Sequence, residues 1–85
     1  MMDMTSTDER LPRYYVTYSK RGEYQVWLYA GLKGSSPTWE GLIDILKEEY
    51  KKVNHPLTLV PIRITDKRLL AGLEVLVNKM KRGAI

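Results

Sequence analysis

The chain has 85 residues, 14 of them basic and 10 acidic, with no cysteine and a single histidine. This is the length of one domain, near the size at which a single core only just suffices, and it leaves little room for a separate catalytic lobe. Without cysteine there is no disulfide framework and no thiolate metal site, which suits a cytoplasmic setting. The apolar runs are too short to span a bilayer, and no charged and apolar leader opens the chain.

Charge is unevenly placed. Asp3, Asp8 and Glu9 precede every base, and the residues after them carry 14 bases against 7 acids, a net of +7. That balance favours an anionic partner. Nucleic acid comes ahead of an anionic membrane, because no helical pattern sets an apolar face against a wholly basic one. Amides are scarce, with one Gln and two Asn, which leans toward a thermophilic source.

Residues 1–12 show no hydrophobic period and close on Pro12, which predicts a flexible N-terminal arm ahead of a single compact α+β domain over residues 13–85. The domain opens on a β-hairpin. Ser19, Lys20 and Arg21 suit a type I turn, and Gly22 supplies the positive φ of a three-residue loop with a bulge. The resulting register pairs Tyr18 with Tyr24, Val16 with Val26 and Tyr14 with Leu28 on one face. The other face pairs Thr17 with Gln25, Tyr15 with Trp27 and Arg13 with Tyr29. The even-numbered face, continuing to Ala30, carries no charge and reads as core. The odd-numbered face is an aromatic platform with hydrogen-bonding neighbours and with Lys20 and Arg21 at the ribbon tip. Such a surface stacks unpaired bases or serves as a protein interface.

Gly31–Pro37 reads as a Gly/Ser-rich loop that matches no phosphate-binding motif. Ser36 as N-cap and Pro37 as first residue then predict a helix. Trp39, Leu42, Ile43, Leu46, Tyr50 and Val53 form its apolar stripe, and Glu48 with Lys52 makes an i,i+4 pair on its solvated side. Asp44 and Glu48 have no third carboxylate or histidine beside them, so no metal or acid–base site is expected. Asn54-His55-Pro56 ends the helix. A lone His55 leaves triads and zinc sites without their usual participant.

Residues 57–65 are rich in β-branched side chains and predict a third strand, with Pro61 placing it at a sheet edge. Val60, Ile62 and Ile64 are expected to face the core with Thr58, and Arg63 to join Tyr15 and Trp27 on the other side. Thr65 or Asp66 caps a second helix striped by Leu69, Leu70, Leu73, Leu76, Val77 and Met80. Lys79, Lys81 and Arg82 close it ahead of Gly83, complementing the helix dipole and offering phosphate contacts.

The expected fold is an α+β two-layer sandwich in the order ββαβα, a three-stranded sheet with two helices packed on one face. The strand order 2-1-3 leaves Pro61 on an edge, with 1-2-3 as the alternative. The expected function is a non-catalytic nucleic-acid-binding domain, RNA or single strands before DNA, serving as an accessory component of a ribonucleoprotein such as the ribosome. Its contacts are Arg13, Tyr15, Lys20, Arg21, Trp27, Tyr29, Arg63, Lys79, Lys81 and Arg82, without cofactor or metal. The alternative is a small interaction or regulatory module using the aromatic sheet face as a homodimer or partner interface.

Overall fold

The computed structural model describes residues 12–53 and 55–85; all but the last residue of the expected arm, and Asn54 of the helix stop, lie outside them. The elements are β1 (Arg13–Tyr18), β2 (Tyr24–Leu28), β3 (Gly31–Ser36), α1 (Trp39–Val53), β4 (Thr58–Ile62) and α2 (Lys67–Lys81). They form a sheet of order β3-β2-β1-β4, with α1 against β2 and β3 and α2 beside β4. The fold is α+β with both helices on one side of the sheet. The expected ββαβα order and three strands are corrected to βββαβα and four.

The additional strand is the Gly/Ser segment. Its residues have low strand propensity, but β2 offers a free edge, and pairing with it overrides propensity. A bulge between Val26 and Trp27 takes up Lys33, so that Leu32 lies opposite Trp27 and Gly34 opposite Val26. A Cβ at Gly34 would stand 3.0 Å from Ile45 Cδ1, so the missing side chain is what lets α1 lie on β3. The helix also begins later than Ser36-Pro37 suggests. Thr38 is the capping residue, its Oγ1 accepting from Gly41 N at 3.1 Å, while Ser36 belongs to β3 and its Oγ accepts from Thr38 N at 3.1 Å.

The hairpin forms in the expected register, from Tyr14 opposite Leu28 to Tyr18 opposite Tyr24. Its turn is closed by Gly22 N donating to Ser19 O at 3.0 Å, with Gly22 at φ +85°. Tyr14, Val16 and Val26 are fully buried and join Leu42, Leu46, Leu57, Ile64, Leu73, Leu76 and Met80 in one core. Tyr18 is a partial exception: at the hairpin end it runs past the helices and is exposed. Its ring meets Tyr24 at 4.9 Å, and Tyr24 in turn meets Trp39 edge-on at 5.3 Å.

β4 runs parallel to β1, with Leu59 opposite Tyr14, Val60 opposite Tyr15 and Pro61 opposite Val16. This reverses the expected facing of the strand. Leu59 and Pro61 turn toward the helices, while Val60 and Ile62 share the face of Tyr15 and Thr17. The segment is apolar at both parities, so alternation within it does not set the face; pairing with β1 does. The strand ends at Ile62, and Ile64 reaches the core from beyond it.

Both helices run from the hairpin-tip end of the sheet toward the opposite end. Trp39 lies near Gly72 at one end, and Tyr50 Oη donates to Met80 O at 3.2 Å toward the other. On α1 the ion pairs are at i,i+3, Glu48 with Lys51 and Glu49 with Lys52, in place of Glu48 with Lys52. Asp66 caps α2, its Oδ1 accepting from Arg68 N at 2.9 Å. Gly83 at φ +67° closes the helix, with Gly83 N bonded to Met80 O and Ala84 N to Lys79 O, the Schellman arrangement.

Candidate functional site

Strand alternation and the two ladders place Arg13, Tyr15, Thr17, Gln25, Trp27, Leu32, Ser35, Thr58, Val60 and Ile62 on the face away from the helices. No described element packs over it, and none of these side chains belongs to the core. Its centre is the cross-strand pair Tyr15 and Trp27. Leu32 and Ile62 flank the pair on the two edge strands and are 48% and 41% exposed.

The indole is held by its edge. Trp27 Nε1 donates to Thr17 Oγ1 at 3.2 Å and to Gln25 Oε1 at 3.3 Å, and Thr17 Oγ1 itself donates to Gln25 Oε1 at 3.2 Å. These bonds satisfy the one polar atom of the ring and fix its orientation. Tyr15 and Trp27 are both half-buried, so part of each side chain is open to stacking or apolar contact.

The bases expected to serve this face do not gather at one point. Lys20 and Arg21 occupy the hairpin tip, at the end of the sheet where β4 also finishes, so Arg63 stands at that end too. Arg63 lies just past the strand on left-handed backbone, φ +65°, and not in line with Tyr15 and Trp27. Arg13 is at the other end of β1. Tyr29 is also at that end, but in the two-residue turn between β2 and β3 at φ +56°, and 77% exposed. Its expected pairing with Arg13 is lost because β2 stops at Leu28 to turn into β3; Ala30 leaves the expected core face for the same reason. Lys79, Lys81 and Arg82 belong to the far end of α2, on the helix side of the sheet.

The sheet layer is nevertheless the more strongly basic one, since on and beside the helices Lys47, Lys51, Lys52, Lys67, Arg68, Lys79, Lys81 and Arg82 are largely offset by acids. The strands and turns of the sheet hold Arg13, Lys20, Arg21, Lys33 and Arg63 against Glu23 alone. The remaining described acids sit on or beside the helices. The parallel helices add to this, since both N-termini, with their partial positive charge, lie at the end that carries Lys20, Arg21 and Arg63.

Two features of the site region escape sequence reasoning. Lys33 joins the rim only because its segment is a strand. Glu49, which looks like one more acid on a solvated helix, is 6% exposed and accepts a hydrogen bond from Tyr14 Oη at 3.3 Å. Burial, and next the charge of Glu49 beside it, pushes the Tyr14 phenol up to about 12 from 10.0. A signal for Glu49 is present in its spacing, three residues after Leu46 on the buried stripe.

Among the described residues no group of three or more His, Cys, Asp or Glu is placed to hold a metal ion, and no helix is long and apolar enough to cross a membrane. His55 Nδ1 lies 2.9 Å from Pro56 O, so this nitrogen carries the proton and the ring is tied to the backbone at the helix stop. No family model, curated protein or solved structure matches the chain.

Proposed function

We propose that the chain is a non-catalytic domain that binds single-stranded nucleic acid, RNA before DNA, across the sheet face turned away from its helices. The observation that carries the reading is the Tyr15–Trp27 pair on that face, with the indole locked by Thr17 and Gln25. Flat aromatic surfaces stack bases of any identity, and stacking contributes about 1–3 kcal/mol per base. Phosphates would be met at the rim, by Lys20, Arg21 and Arg63 at one end, Arg13 at the other and Lys33 along the β3 edge. Lys79, Lys81 and Arg82 would reach only a ligand that continues around the molecule. An accessory place in a ribonucleoprotein suits a domain of this size and charge.

A second reading is favoured by Leu32 and Ile62. They extend the aromatic pair into a wider apolar strip with one base on it, which is also the character of a homodimer or partner interface. One titration separates the two. Tryptophan fluorescence is followed as single-stranded RNA is added at two salt concentrations, beside a sizing measurement of the free protein. Quenching with a salt-dependent midpoint supports the first reading. A stable dimer in the absence of RNA, with no spectral response to RNA at physiological salt, replaces it with the second.

A further inference from the structure

The far side of β4 carries a different surface. Among the described residues β4 is an edge strand that pairs with β1 alone, and between its outer edge and α2 runs an open groove of about 630 Å³. Leu57, Leu59 and Pro61 wall it on the strand side, and Leu70, Leu73 and Val77 on the helix side. Glu74 and Lys81 line it as well, and neither has an ion-pair partner among the described residues.

We propose that this groove binds an extended peptide that adds to β4 as an antiparallel strand and ends in a free carboxylate beside Lys81. The backbone supplies the first argument. In a parallel pair, alternate residues of a strand turn their N–H and C=O groups toward the partner and the others away. Pro61 has no N–H to give β1, so its parity is the outward one, and Leu57 and Leu59 share it. Leu59 therefore presents a donor and an acceptor to an apolar groove. A helix or a fatty chain lying there would leave both unmatched, whereas an extended backbone pairs with both.

Charge supplies the second argument and sets the direction. α2 descends from Leu70 near Pro61 to Lys81 near Pro56 and Leu57, so Lys81 marks the start of β4. An antiparallel segment brings its C-terminus to that end. A parallel one would bring an ammonium group against Lys81. The negative end of the helix dipole is outweighed there by the full charge of Lys81, since that dipole amounts to about half a charge. Pro61 confines the addition to the lower part of the strand. The site thus takes about four or five residues, at roughly 3.3 Å per residue along β4.

The test uses labelled pentapeptides alternating threonine with valine, leucine or phenylalanine, read by fluorescence anisotropy on the full chain. Each is compared with its C-terminal amide and with a version N-methylated at the central residue, and octanoate serves as a competitor. At least one free acid is expected to bind, with its amide about tenfold weaker and the N-methyl version lost. The Leu59 amide is expected to gain hydrogen-exchange protection in the complex. Lys81→Glu, an exposed change that leaves the core intact, should weaken the acid about tenfold and leave the amide unchanged, while RNA titrations of the wild-type chain stay as they were when the peptide is bound. The proposal is overturned if none of the acids binds folded protein at millimolar concentration, or if acid and amide bind alike. It is equally overturned if octanoate occupies the groove without protecting Leu59, which would make this a small-molecule recess.

Discussion

The Tyr14 phenol donates to Glu49 Oε1 at 3.3 Å, joining a fully buried strand residue to the only buried charged residue among those described. The other carboxylate oxygen meets Lys52 Nζ at 3.2 Å, so the charge is satisfied from the core on one side and from the surface on the other. Removing one partner leaves the second without its bond in a low-dielectric site. Tyr14→Phe should therefore cost about 1–3 kcal/mol, whereas Tyr14→Phe combined with Glu49→Leu should recover part of that loss. Urea unfolding of the two single variants and the double variant measures the coupling.

The same pair sets a pH dependence. With the folded phenol pushed up to about 12 and the ordinary value at 10.0, the unfolded chain loses this proton first as pH rises. Its contribution is fully present below pH 10 and is lost through the folded value, at a slope of up to about 1.4 kcal/mol per pH unit. The stability difference between wild type and Tyr14→Phe, followed from pH 9 to pH 12, should shrink over that window. A constant difference would mean that the phenol titrates alike in both states.

Leu46 on α1 and Leu73 on α2 are both buried in the core between the helices and the sheet. Truncation to alanine at either should destabilise by about 2–5 kcal/mol, because the surrounding side chains relax only partly into the space. In a domain this small that would unfold much of the population at 25 °C, visible directly by circular dichroism.

Gly34 tests the additional strand. Its missing side chain admits Ile45, whose Cδ1, Cγ2 and Cγ1 would lie 3.0, 3.1 and 3.2 Å from an added Cβ. Gly34→Val should then destabilise by about 1–3 kcal/mol despite valine's strand propensity, since overpacking outweighs it. Ile45→Ala in the same chain should relieve it. If Gly34→Val alone stabilised the fold, α1 would not be resting on β3.

For the sheet face, Trp27→Ala should weaken single-stranded RNA binding by about 1–3 kcal/mol with little change in salt dependence, because a neutral ring releases no counterions. Lys20→Ala or Arg21→Ala should instead lower the slope of log affinity against log salt by about 0.7 each. Fluorescence titrations from low to physiological salt distinguish the two patterns. If the face is a protein interface, Trp27→Ala changes the sizing profile and leaves RNA titrations unaltered.

Tyr29 sits in the left-handed region with most of its side chain in solvent, a conformation that costs a non-glycine residue about 1 kcal/mol or more. Tyr29→Gly should relieve that strain at little loss of packing and raise the melting temperature by about 2–4 °C, for a net gain near 0.5 kcal/mol after the added entropy of the unfolded chain. RNA affinity that falls while stability rises would show that the ring is kept for binding.

The sequence by itself determined the hairpin, its register and its turn, because Ser19 to Gly22 and the period-two pattern around them are local and point to one answer. It determined that both helices exist, with their main stripes, a cap at Thr65 or Asp66 and the Gly83 stop, for the same reason: caps and 3.6-residue spacing act within a few residues of themselves. The aromatic pair Tyr15 and Trp27 follows from the register alone. Only the tertiary structure decided the rest. Gly31–Ser36 became a strand because β2 had an edge to pair and Gly34 left room for Ile45 of α1. Val60 and Ile62 joined the face away from the helices because a segment apolar at both parities takes its facing from its neighbour, β1. The bases divided between the two ends of the sheet because parallel pairing of β4 carries Arg63 to the hairpin tip and α2 carries Lys79, Lys81 and Arg82 back. Each of these depends on partners distant in the chain, and no local pattern encodes them.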